Sequence, residues 1–241
     1  MNNYSNKRVC VTILIKDGRA VKGCKFKNHS YIGDPLNIIR ILNDFNVDEI
    51  LVFDISNSQK IDHYNLEKLA RESYCPISYG GNLNSFDKVK KIFDIGFDRV
   101  CFNKCFFNNV HLIKNVTSVY GKQSIIACAN IKKNIFGNFK IVNNSKLFKF
   151  ENLEQYLDLY SENAGEVILN FIDRDGTMSG LEISYANYIS KNLKTPLMVM
   201  GGANSLKNIR SALKTNISSV AVGRMFFFYK KTENILLNYE K

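Results

Sequence analysis

Residues 48–56 read DEILVFDIS, and residues 165–173, about half the chain further on, read GEVILNFID. Both are short apolar runs that begin beside an acid and close on an aspartate, the pattern of a strand buried on both faces that ends in a polar loop. Two further pairs keep the same offset: PISYGGN (76–82) with PLMVMGGA (196–203), and DRVCFNK (98–104) with SSVAVGR (218–224). Self-similarity of this kind implies two halves built on one plan.

Working outward from these segments gives eight strands: Val9 to Ile15, Glu49 to Ile55, Ile77 to Tyr79, Arg99 to Phe102, Ser124 to Asn130, Glu166 to Phe171, Leu197 to Met200, and Ser219 to Val222. Helical spacing fills the gaps. Asp34 reads as an N-cap with Pro35 at the first helical position, followed by Ile38, Leu42 and Phe45. Phe86, Val89 and Phe93 end at Gly96, Leu112, Val116 and Val119 end at Gly121, and Ser205 caps Leu206, Ile209 and Leu213. A last segment, Ile235 to Tyr239, supplies the eighth helix. Eight alternating units in 241 residues predict an α/β fold, a (β/α)8 TIM barrel of two half-barrel repeats in a single domain over residues 1–241. The stretch 131–150, IKKNIFGNFKIVNNSKLFKF, fits no helix and predicts a β-hairpin insertion with its turn near Gly137 and Asn138, on the loop face after strand five.

Composition narrows the function. With 45% hydrophobic and 23% charged residues the chain is an ordinary globular protein. It has no apolar run of membrane-spanning length and no secretory cleavage pattern, so a cytoplasmic location and no membrane partner are expected. The net charge of +11 admits anionic partners, but the lysines sit singly along helices instead of forming a basic stripe with interleaved aromatics, which argues against nucleic acid. Among the six cysteines only Cys101 and Cys105 are close, with no second pair or nearby histidine to complete a zinc set. No metal and no cofactor are expected.

In such a barrel the reacting groups lie at the C-terminal ends of the strands. YGGN (79–82), FNK (102–104), IDRDGTMSG (172–180), MGGA (200–203) and VGR (222–224) land there. Paired glycines let backbone N–H groups approach an anion, and their recurrence in both halves suggests two pockets for a molecule with two phosphates. Glycine at a strand corner also relieves strain without binding anything, and Asp173 with Arg174 can be a plain surface pair.

IKDGRAVKG, GDP before a helix, VDEILVFDI, PISYGG, GEVILN, IDRDGTMSG and the late GGA occur in order along nearly the whole chain. Together they resemble the cyclase subunit of imidazole glycerol phosphate synthase. The resemblance implies a barrel that docks a glutaminase on its N-terminal face and passes ammonia to a bisphosphate site on the other. It implies a charged gate at Arg8, Glu49, Arg99 and Glu166, and a glutaminase contact at Asp98. For ligand binding it implies Lys22, Asp54, Gly81, Asn103, Gly176, Gly202 and Gly223, whereas Asn82 replaces a glycine and Lys104 and Arg224 replace small hydroxyl residues. It also implies two catalytic aspartates, ending strands one and five. Leu14 and Asn130 stand there instead.

Neither side chain transfers protons near neutral pH, and losing even one general acid or base removes on the order of 10²–10⁴-fold in rate. GDPLNIIRI, PISYGG and the leucine before IKD resemble more closely a branch found with surface-polysaccharide genes. There the barrel works beside a glutaminase and an ATP-dependent amidating enzyme that converts an acetamido sugar to an acetamidino sugar. The expectation is therefore an ammonia-delivering barrel. Two alternatives stand beside it: a histidine-pathway cyclase relying on Asp175 or Asp54, and a non-catalytic barrel that binds a sugar phosphate.

Overall fold

The computed structural model describes residues 7–58, 60–143, 146–147 and 153–228. In chain order its strands are β1 (Arg8–Lys16), β2 (Arg19–Cys24), β3 (Lys27–Gly33), β4 (Glu49–Asp54), β5 (Ile77–Gly80), β6 (Arg99–Phe102), β7 (Ile125–Lys133), β8 (Phe139–Asn143), β9 (Lys146–Leu147), β10 (Glu166–Phe171), β11 (Leu197–Met200) and β12 (Ser219–Val222). The helices are α1 (Pro35–Asp44), α2 (His63–Glu72), α3 (Phe86–Asp94), α4 (Cys105–Asn108), α5 (Val110–Tyr120), α6 (Leu153–Asn163), α7 (Ile183–Asn192), α8 (Leu206–Leu213) and α9 (Arg224–Phe227).

Eight parallel strands, in the order β1, β4, β5, β6, β7, β10, β11 and β12, close into a barrel, with β12 pairing back onto β1 from Arg8↔Ser219 to Val11↔Val222. Side-chain alternation then divides the apolar residues into two cores. Val11, Ile13, Val52, Val100, Ala127, Leu169 and Val199 point outward under the helices and form the larger one. Cys10, Leu51, Cys101, Ile126, Cys128, Ile168, Met198 and Ala221 point inward and fill the lumen. Because both faces are covered, the strands read as continuous apolar runs, which is why the sequence exposes their positions so clearly.

Local chemistry sets the helix starts. Asp34 Oδ1 accepts from the amides of Leu36 and Asn37 ahead of α1, and Ser205 Oγ accepts from Asn208 N ahead of α8. The expected eighth helix, Ile235 to Tyr239, lies outside the described residues.

Two excursions rise from the C-terminal rim. β7 continues past the barrel and pairs antiparallel with β8, Lys132 opposite Lys140 and Lys133 opposite Phe139; residues 144–145 and 148–150 of this stretch lie outside the described residues. The second excursion is the β2–β3 hairpin, which is not among the eight strands expected from the sequence. Its turn residues, Lys25 and Phe26, sit at φ values of +51° and +62°, positions where asparagine or glycine normally signals a tight turn. The sequence therefore carries no punctuation there.

Candidate functional site

The lumen is layered. At its N-terminal end Arg8, Glu49, Arg99 and Glu166 form a closed ring of alternating charge. Arg8 reaches Glu49 at 2.7 Å and Glu166 at 2.5 Å, and Arg99 reaches Glu166 at 2.7 Å and also bonds Glu49. The two carboxylates are almost fully buried, and each accepts a further hydrogen bond of 2.7 Å, Glu49 from Ser78 Oγ and Glu166 from Ser219 Oγ. Burial alone would raise the Glu166 carboxyl, but Arg99 and Arg8 outweigh it and hold its pKa below the usual value. A fully paired ring of this kind removes free charge from the barrel floor.

Above the ring lies the apolar layer with its three inward thiols, Cys10, Cys101 and Cys128. Burial and neighbouring carboxylates push the Cys10 thiol up, while a hydrogen bond that the Cys101 thiol donates to Cys128, together with burial, does the same for Cys101. Both stay protonated and behave as small hydrophobes.

At the C-terminal mouth the alternation of β1 brings Thr12 and Leu14 inward, and Leu14 pairs with Phe53 of β4. Asn130 of β7 is half-buried, and its Oδ1 accepts from Asn170 Nδ2 at 3.1 Å. Asn170 is 3% exposed and its own Oδ1 has no partner among the described residues. Leucine and two carboxamides therefore occupy the mouth.

Beside it, a narrow recess is lined by Thr12, Asp175, Gly176, Met178, Met200, Gly201, Gly202, Ala203, Ala221, Gly223 and Arg224. Four of these residues are glycines, which leave bare backbone in its wall. A Cβ on Gly223 would lie 2.9 Å from Thr12 Oγ1 and 3.3 Å from Lys22 Nζ, and one on Gly202 would lie 2.4 Å from the Gly180 carbonyl oxygen. The Arg224 guanidinium sits 4.5 Å from the Phe228 ring at one edge. Lys22, fully enclosed behind Gly223, donates to Thr12 O and, at 3.2 Å, to Thr12 Oγ1, and its ammonium lies 4.7 Å from the Phe227 ring. Burial lowers the Lys22 pKa to about 7, with Asp175 opposing the shift, and burial likewise raises Asp175 against the pull of Lys22 and a bond from the Phe26 backbone. Glycine backbone with one surface cation and one buried, titratable cation suits a small anion.

A profile of the histidine biosynthesis protein family matches residues 8–232, all but the ends of the chain. The chain belongs to this family. A Pseudomonas aeruginosa protein provisionally named imidazole glycerol phosphate synthase subunit hisF2 is 33% identical over 97% of this chain and 95% of its own length. A Vibrio vulnificus protein provisionally named subunit hisF3 is 31% identical over 96% of this chain and 92% of its own. Imidazole glycerol phosphate synthase subunit HisF of Chlorobium phaeovibrioides is 31% identical over 93% and 91%.

Against this imidazole glycerol phosphate synthase framework, the residues singled out in the sequence divide into groups. Gly176, Gly202, Gly223, Arg224 and Asp175 come together around the recess, with Lys22 directly behind it. Gly81, Asn82, Asn103 and Lys104 end β5 and β6 in the other half of the rim and line a different part of it. Asn82 donates its amide to Ser58 O at 2.6 Å, Asn103 donates to Cys128 O at 2.6 Å, and Lys104 is exposed ahead of α4. Those two amides serve backbone carbonyls. Asp54 receives Ser56 N at 2.9 Å and the Tyr79 hydroxyl at 3.4 Å, and it faces a separate open groove beside α1 and α2. Asp98 is exposed at the N-terminal face, where its Oδ2 accepts from Ile77 N at 2.8 Å.

Asp173 and Arg174, which the sequence allows as a plain surface pair, bond other groups instead. Arg174 binds Glu182 at 2.6 Å and Gly180 O at 3.0 Å, and Asp173 accepts from Lys133 N at 3.1 Å, because the loop turns between the two side chains. Sequence reasoning missed Thr12 and Asn170. Strand parity was the available signal: inward Glu166 makes Asn170 inward, and inward Arg8 makes Thr12 inward. Among the described residues no group of three or more His, Cys, Asp or Glu is placed to hold a metal, and no helix is long and apolar enough to cross a membrane.

Proposed function

We propose that this chain is the ammonia-delivering barrel of a glutamine-dependent amidotransferase complex, and that it has given up cyclase chemistry of its own. The observation that carries this reading is the contrast between its two ends. The four-charge ring is complete at the floor, while Leu14 and the Asn130–Asn170 amide pair occupy the mouth where the family resemblance implies two acids. Ammonia that crosses an apolar lumen as NH₃ meets carboxamides, which neither protonate nor retain it as a cation.

In this proposal a glutaminase docks on the N-terminal face beside Asp98 and releases ammonia at the ring. An ATP-dependent amidating enzyme then uses it to convert an acetamido sugar to an acetamidino sugar for a surface polysaccharide. The numbered names hisF2 and hisF3 of two relatives fit a barrel serving beside a separate histidine-pathway subunit. The recess at Gly202, Gly223 and Arg224 would take the anionic group of a phosphate-bearing small molecule, since glycine backbone and the Arg224 guanidinium border it.

A second reading, a cyclase built on other groups, draws on Asp175, whose carboxyl is raised by burial beside Lys22 on the wall of the recess. One experiment separates the two. The purified chain, given the ribulosyl aminoimidazole precursor and ammonium chloride, is expected to show no ring closure above background, while addition of the chain to its glutaminase stimulates glutamine hydrolysis. Turnover at the rate of a histidine-pathway cyclase would overturn the delivery reading.

A further inference from the structure

The rim where ammonia would leave carries a feature that neither the recess nor the ring uses. Ile135 and Phe136, at the tip of the β7–β8 hairpin, are 94% and 81% exposed, among the most exposed apolar side chains of the described surface. The tip is held in shape. Asn134 Oδ1 accepts from Phe136 N at 3.0 Å and Asn138 N at 2.9 Å, Asn134 N donates to Asn138 O at 2.9 Å, and Gly137 turns the chain at φ +82°.

The base is braced as firmly. Phe139 stacks on Tyr185 at 4.0 Å and meets Phe171 edge-on at 5.5 Å, and Lys133 N donates to Asp173 at 3.1 Å. With Phe139 and Lys133 turned toward the barrel, the alternate residues face away, and there Lys132 lies directly across the ladder from Lys140. Like charges opposed in this way are destabilising, and among the described residues neither lysine has an ion-pair partner. A rigid hairpin that holds two apolar side chains in water beside an uncompensated lysine pair is a poor solution for an isolated chain. It is a good one for a chain that inserts the tip into a partner, because an ordered tip loses little conformational freedom on docking.

We infer that this hairpin is the docking element for the ammonia-consuming enzyme. Ile135 and Phe136 enter an apolar socket of that protein, and carboxylates at the socket rim meet Lys132 and Lys140. The inference rests on the delivery reading above and adds the surface to it. An acceptor seated on the C-terminal face receives ammonia at the mouth, opposite the ring, and limits its escape to solvent.

The test measures the affinity of the purified ATP-dependent amidating enzyme for the full chain bound to its glutaminase. Ile135→Ser/Phe136→Ser is expected to weaken binding by at least about 10-fold. Lys132→Glu/Lys140→Glu is expected to weaken it and to reverse its salt dependence. Both double variants should leave glutaminase stimulation and ammonium-supported amidation unchanged, while glutamine-supported amidation falls. Ile135, Phe136 and Lys132 are exposed and Lys140 is half-buried, and unchanged melting temperatures would show that the fold survives. If wild type and both variants bind equally, the docking inference is overturned and delivery stands. If wild type does not bind the amidating enzyme at all, both are overturned. If instead wild type sediments with phosphatidylglycerol vesicles and Phe136→Ser does not, the tip belongs to a lipid surface and the inference is likewise overturned.

Discussion

Gly176 sits so close to Gly23 that a Cβ on it would come within 2.1 Å of the Gly23 carbonyl oxygen. The contact seats the β2–β3 hairpin on the β10–α7 loop, and it is reinforced by Lys25 N donating to Asp175 O at 2.9 Å. The hairpin thus braces the Asp175–Gly176 wall of the recess from behind, with Lys22 of β2 enclosed behind Gly223.

Gly176→Ala adds a Cβ where there is no room for one and at a φ of +66° that favours glycine. The backbone must shift, so the hairpin should lift from the loop. We expect a loss of roughly 2 kcal/mol and faster hydrogen exchange across β2 and β3. Exchange identical to wild type would show that the contact does not hold the hairpin down.

Glu166→Gln keeps the shape of the ring but leaves Arg8 and Arg99 facing a single carboxylate. The expected cost is about 3 kcal/mol, read as a melting temperature lower by roughly 6–12 °C. The acid limb gives a second signature. A carboxylate whose folded pKa is depressed contributes stability that is present above the unfolded value, near 4.5, and is lost as pH falls through the folded value. Wild type should therefore lose stability below about pH 4.5 through this group, and Glu166→Gln should lack that component.

Lys22 titrates in the opposite sense. Its folded pKa of about 7 lies below the ordinary 10.5, so in that interval the unfolded chain binds more protons than the folded one. Stability due to this group then rises with pH across the interval, by roughly 2–3 kcal/mol between about pH 7 and pH 9. Lys22→Met should abolish the rise and gain most over wild type below pH 7. Parallel pH–stability curves for the two proteins would refute the burial of a titrating ammonium.

Asn130→Asp preserves the acceptor for Asn170 Nδ2, so the fold should change by less than about 1 kcal/mol. Ammonium-dependent ring closure should stay at background, because Leu14 still leaves the second position without a proton carrier. Leu14→Asp/Asn130→Asp is expected to gain at least about 10²-fold over the single variant. Equal rates would mean that the mouth lacks something other than acids.

Much of this was legible without coordinates. The strand starts and ends follow from apolar runs that close on polar or glycine residues, and Arg99–Phe102, Glu166–Phe171, Leu197–Met200 and Ser219–Val222 coincide with the strands read from them. The β2–β3 hairpin was not legible, since Lys25 and Phe26 adopt left-handed conformations that their residue types do not advertise. For Asn82 and Asn103 the sequence shows a residue at a strand end but not which way its amide turns, and the structure has both amides donating to the carbonyls of Ser58 and Cys128.

By itself the sequence determined the barrel and the presence of Leu14 and Asn130 at the ends of its first and fifth barrel strands, because strand periodicity is a local property and residue identity is given outright. Only the tertiary structure decided that Arg8, Glu49, Arg99 and Glu166 close into one ring, that Asn130 bonds Asn170, and that Lys22 is enclosed beside Asp175. Those relations depend on the stagger with which eight strands close, and that stagger is set by packing across the whole barrel and not by any one segment.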